Sequence, residues 1–278
     1  MAESPKSRGK NHLTKEKCVE KFDIKKYKQI DMALEISSHE EGKVISKNLL
    51  GFVAPWKDTS GNILPPKKII QPRRFTIFYL LVVWSYVLFV DEAMEGSVFY
   101  NLRIMCEEIA RMDPNELTTN PLIFFLSLFI SPFAHWDMIH AMYVSAGIMF
   151  FLQSLEAHNN WRSAATIFIG TSAITSILMA IIYNVGFTIY PDFELFSQVM
   201  SRSFRGGSIG MFGALGALAY HAKKTHFSLI LVFLFEVWNY TSYGTDAAIS
   251  IGHASSTLIG LLIWRWWNQK GDAYDESE

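Results

Sequence analysis

The sequence has almost no cysteine: Cys18 and Cys106 stand far apart among 278 residues. Such a pair makes neither a disulfide framework nor a metal-binding knuckle. Charge of one sign is also missing. Lysine and arginine together number 25 against 26 aspartates and glutamates, a formal net charge of −1, so no nucleic-acid partner is expected. The N-terminus lacks any long apolar run, so no cleavable signal peptide is expected. No internal repeat of apolar segments is visible, which argues against a transporter built from duplicated halves. Composition as a whole excludes little, because 50% hydrophobic residues is close to an ordinary globular chain.

Distribution says more. Residues 1–74 are charged and Lys-rich, with a modest apolar pattern (Val19, Phe22, Ile24, Tyr27) and a turn-rich stretch from Pro55 to Pro66. They read as a cytosolic N-terminal tail or small domain. Residues 75–267 hold long apolar runs, and residues 268–278 form an acidic C-terminal tail. Six spans are expected: Phe75 to Val90, Met138 to Leu155, Trp161 to Val185, Ser208 to Tyr220, His226 to Tyr240 and Ala247 to Trp267. The first is a little short of the roughly 20 residues a span needs. Between the first two lies a long first loop. Within it Val98 to Met112 has helical periodicity, and Leu122 to Ile130 is apolar but too short to span, suited to the membrane interface. Lys67, Lys68, Arg73 and Arg74 precede the first span, while Arg162, Lys223, Lys224, Arg265 and Lys270 fall on the same side. The positive-inside rule then places both termini in the cytosol. Arg202 and Arg205 are the exceptions. The expected fold is all-α, an integral, multi-pass membrane protein with a six-transmembrane-helix bundle.

An ionisable side chain in such a bundle costs about 2.5–3.5 kcal/mol on insertion scales, so each one asks for a reason. His135, His140, Glu156, Glu236 and His253 are the candidates. Ser208 opens a run of small residues, Gly206-Gly207-Ser208-Ile209-Gly210, followed by Gly213 and Gly216. A serine there can be a helix N-cap or a nucleophile. Its helix is too short to cross a bilayer, which would start Ser208 part-way down, in a protein-lined cavity. His253 lies in a helix whose Gly252, Ser256 and Gly260 recur every four residues, a face suited to close packing on the small residues after Ser208. A histidine bonded to a serine is the minimal activated nucleophile; a histidine satisfied by a backbone carbonyl is the bland alternative. His135 and His140, five apart, would point about 140° away from each other on a helix. No metal site is expected of them, although both can donate to an oxyanion.

These residues together resemble the rhomboid family of intramembrane serine proteases over roughly residues 75–267. The family's Gly-x-Ser motif is matched by Gly206, Gly207 and Ser208, with Phe212, Gly213 and Gly216 after it. Its sixth-helix histidine is matched by His253, with Ser255, Ser256 and Gly260 following. Its second-helix His-x4-His pattern is matched by His135 and His140, and the glutamate closing that helix by Glu156. The resemblance implies a Ser208–His253 dyad that cleaves transmembrane segments of membrane-protein substrates within the lipid bilayer, without cofactor or metal. His140, supported by His135, would hold the oxyanion; Glu156 and the glycines would be structural. No third acid is required, and Asp246 falls in an outer loop. The chain departs from the pattern at Ile209, which replaces a glycine, at Val144, which replaces an oxyanion-binding asparagine, and at Leu126-Ser127, where the family has Trp-Arg. The alternative these departures suggest is a catalytically impaired pseudoprotease of the same fold that binds membrane-protein clients.

Overall fold

The computed structural model describes residues 65–91, 97–135, 137–222, 224–243 and 246–275, together with Ile63. Most of the expected N-terminal tail or small domain, residues 1–62, lies outside the described residues. Everything described belongs to one compact unit, Ile45–Glu278.

Two short turns, Pro66–Ile70 and Gln71–Arg73, lead into α1, Arg74–Ser85, which continues as a π-helical segment, Tyr86–Asp91. Helix α2 is Val98–Ala110, started by Ser97, whose hydroxyl accepts from Tyr100 N. A single turn at Glu116–Thr119 precedes the apolar α3, Pro121–Ile130. Helix α4 spans Met138–His158 with a π-helical middle, Ile148–Leu152. Asp137 caps it by accepting from His140 N at 2.7 Å. Asn160 does the same for α5, Trp161–Ile189, through Ser163 N. The remaining helices are α6, Glu194–Met200; α7, Ser208–Ala219; α8, Thr225–Tyr243; and α9, Ala247–Asp275.

The described residues are all-helical apart from turns and one isolated pairing, and among them three helices are long and apolar enough to cross a membrane: Met138–His158, Trp161–Ile189 and Ala247–Asn268. The other three expected spans fall outside that set by length or composition. Helix α1 is only 12 residues before its π-helical extension, and α7 is also 12 residues. Helix α8 has the length, 19 residues, but carries His226, Glu236 and Asn239. Helix α9 runs past Trp267 to Asp275, into the stretch expected as a tail.

Helix α7 is the centre of the bundle. Every residue of it except Ile209 is buried, and it packs against α9, α5 and the π-helical part of α4. Its Met211, Leu215 and Leu218 join Tyr79 and Val83 of α1, Ile148 and Leu152 of α4, and Phe168 of α5 in the main core. Glycine makes the closest approaches. A methyl group on Gly216 would land on the carbonyl of Thr257, and one on Gly260 would land on the carbonyl of Gly213. The backbones of α7 and α9 are therefore in contact, as small-residue faces allow.

Polar groups lock the ends. Glu156, at the end of α4, accepts from Phe75 N at 2.7 Å and Thr76 N at 2.8 Å. It supplies the orphan donors at the start of α1 with a carboxylate, which also suits the positive end of a helix dipole. Arg73, one of the basic residues preceding the first span, is buried and donates to Gln153 Oε1 at 2.7 Å and to the carbonyl of Ile69.

Candidate active site

The loop entering α7 is held by backbone pairing. Met112 and Phe204 exchange hydrogen bonds of 2.9 and 2.8 Å in an isolated antiparallel bridge. Asn184 donates to Pro114 O and Asn115 donates to Met200 O, tying the first loop to α5 and α6. The two arginines that broke the charge pattern are paired, Arg202 with Asp246 at 2.8 Å and Arg205 with Glu107 at 3.7 Å. Asp246 is thereby committed to the loops.

Two residues on, Gly206 takes φ +117° and donates to Ser131 O at 2.9 Å. That φ lies where side chains are disfavoured, and a methyl group at Gly206 would meet the His140 ring. At Gly207 it would meet the Tyr79 hydroxyl, which donates to Pro132 O at 2.9 Å. Gly207, not Ser208, is the N-cap residue, and no side chain caps the helix. Ser208 is the first helical residue, so its backbone N–H belongs to the set without an intrahelical partner. Its side chain is buried yet borders a cavity of about 420 Å³.

His140, Tyr143, Ser208, Ile209, Asn239 and His253 all line this cavity. The structure thus brings together three of the expected site residues, Ser208, His253 and His140. His253 is 5% exposed, and its Nε2 has no hydrogen-bond partner among the described residues, so Ser208 Oγ and His253 are not bonded to each other. The His253 ring stacks on Phe212, with centroids 4.2 Å apart and planes at 17°. Its Nδ1 lies 3.1 Å from Glu236 Oε1 on α8. One helical turn along α9, Ser256 donates to Ile209 O at 2.6 Å, fixing the start of α7 against the helix that carries His253.

His135 is elsewhere. Helix α4 begins at Met138, so the two histidines are not on one helix and their rings meet edge-on, centroids 5.0 Å apart. His135 is 1% exposed, does not border the cavity, and has Nε2 3.3 Å from the Tyr79 hydroxyl. Burial foremost, with His140 next and Asp137 partly opposing, pushes its pKa down to about 3, so it is neutral near pH 7. Its position is behind His140. Val144 is fully buried in the main core. Of its neighbours, Tyr143 borders the cavity, while Ser145 accepts from Trp84 Nε1 at 3.1 Å.

The sequence reading named Glu236 as an ionisable residue needing a reason but gave it no partner. The signal was present in an acidic residue within an otherwise apolar helix. Among the described residues, no group of three His, Cys, Asp or Glu side chains is arranged to hold a metal ion. Compared with protein-family models, with curated proteins and with solved structures, the chain matches none.

Proposed function

We propose that the chain is a six-span, rhomboid-type intramembrane serine endopeptidase that cuts transmembrane segments of other membrane proteins, with both termini cytosolic. The observation that carries this reading is that Ser208, His253 and His140 border one buried cavity in a chain with membrane-length apolar helices. Ser208 Oγ attacks the scissile carbonyl as His253 Nε2 takes its proton, forming a tetrahedral intermediate and then an acyl-enzyme. His253 returns the proton to the leaving amine, and water repeats the sequence to release the acid. His140 and the N–H of Ser208, at the positive end of α7, face the developing oxyanion. The unpartnered His253 Nε2 leaves room for the Ser208–His253 bond to tighten when substrate arrives, as catalytic contacts in empty sites commonly do.

The test is purified protein in bilayers, given an apolar helical substrate and a fluorophosphonate probe. Cleavage and a probe adduct on the Ser208 peptide are expected. No cleavage, with labelling no weaker in Ser208→Ala, would overturn the reading. The second reading, a pseudoprotease that holds client helices, is favoured by the burial of Val144, which leaves that position without an oxyanion donor. It predicts equal capture of the same helix by wild type and Ser208→Ala, with no cut in either.

Gly206→Ala separates the oxyanion arrangement from the nucleophile. The new methyl needs the space of the His140 ring and a backbone conformation that alanine resists. Displacing one oxyanion donor costs about 10²–10³ in rate. Probe labelling is expected to slow by that factor while Ser208 remains the only labelled residue.

A further inference from the structure

We infer that Glu236 is a positioning residue for His253, so that the site is a Ser208–His253–Glu236 triad assembled inside the bundle. This rests on the protease reading. Three observations converge. First, Glu236 Oε1 lies 3.1 Å from His253 Nδ1, and both residues are buried, at 3% and 5% exposure. Second, the stacked Phe212 ring fixes the plane of the imidazole, so the carboxylate decides which nitrogen carries the proton. Third, His253 Nε2 has no hydrogen-bond partner among the described residues and belongs to a residue bordering the same cavity as Ser208.

An ionised carboxylate can only accept. Glu236 therefore takes the Nδ1–H bond and leaves the Nε2 lone pair for the Ser208 hydroxyl. As Nε2 gains the serine proton, the imidazolium forms beside a carboxylate in a low-dielectric interior, where a charge pair counts for more than in water. No proton passes to Glu236. Of the other acids at this end, Asp137 borders the cavity but caps α4 by accepting from His140 N, and Asp246 is held by Arg202. A buried acid within an apolar helix otherwise lacks a stated purpose, since Glu236 Oε2 has no partner among the described residues.

The experiment compares wild type, Glu236→Gln and Glu236→Asp, each full-length, folded in bilayers and labelled with ¹⁵N-histidine. Wild-type His253 is expected as the Nδ1–H tautomer with a strongly downfield Nδ1 proton. Glu236→Gln keeps the shape but offers an amide N–H to Nδ1, and should move the ring to the Nε2–H tautomer. Its kcat on an apolar helical substrate should fall about 10²–10⁴-fold with KM held within about threefold, and Glu236→Asp should recover part of the rate. An unchanged tautomer in Glu236→Gln, or a kcat within about threefold of wild type, overturns the assignment. Wild-type protein that neither cleaves nor labels overturns the protease reading instead, and the tautomer measurement then decides the Glu236–His253 pairing by itself.

Discussion

His253→Ala and Ser208→Ala are each expected to lower kcat by about 10⁶, and the double variant no further than either alone. The reason, under the proposed protease reading, is that the pair would act as a unit. Without His253, the Ser208 hydroxyl keeps its proton and is a weak nucleophile; without Ser208, the imidazole has nothing to activate. On that reading, what should remain in every variant is the contribution of His140 and the N-terminal N–H groups of α7, about 10³–10⁴ over water. Additive losses in the double variant would mean that the two residues act independently, which a shared proton transfer does not allow. The readout is single-turnover cleavage of an apolar helix, with probe labelling of Ser208 in His253→Ala as a check that does not depend on substrate binding. His253→Ala leaves a space beside Phe212 and the cavity. It also strands Glu236, so a compensating Glu236→Gln in the same background should raise stability without restoring rate.

Much of the architecture could be read from the sequence because it depends on local pattern. The apolar runs that became α4, α5 and α9 are long, and Asp137 and Asn160 mark the starts of two of them. The small residues after Ser208 and the Gly252, Ser256, Gly260 repeat carry the close approach of α7 and α9, which is a property of side-chain size alone. Contacts between distant segments were not legible. Glu236 and His253 are 17 residues apart on different helices, and nothing local encodes the rotation and depth that make them meet. Arg73 looked like a flanking charge because its sequence neighbours are charged; only the fold reveals Gln153 waiting for it. Ser208 looked like a cap by residue type, yet the chain enters α7 through Gly206 at positive φ, which shifts the cap to Gly207 and leaves the serine hydroxyl free to border the cavity. The helical-wheel argument for His135 and His140 failed for a similar reason: the helix starts only after His135.

Gly260→Val and Gly216→Val are expected to abolish the folded protein. Most overpacking substitutions cost about 1–3 kcal/mol because side chains rotate aside. Here the obstacle is backbone: the carbonyl of Gly213 for Gly260, and that of Thr257 for Gly216. A carbonyl inside a helix cannot rotate away without losing its own hydrogen bond, so α7 and α9 must separate along their length. That separation would open the core around Met211, Leu215 and Leu218, and would break the Ser256–Ile209 bond that registers the two helices. A total stability of about 5–15 kcal/mol does not survive losses on that scale. Gly170→Ala on α5 is the control, since nothing lies within 4 Å of the added methyl. It should be neutral or stabilising by up to about 1 kcal/mol through helix propensity. Yield of monodisperse protein after extraction and its thermal unfolding temperature decide the matter. Folded, labelled Gly260→Val protein would mean that the α7–α9 contact is looser than this geometry, and the close backbone approach would then lose its role in holding Ser208 near His253.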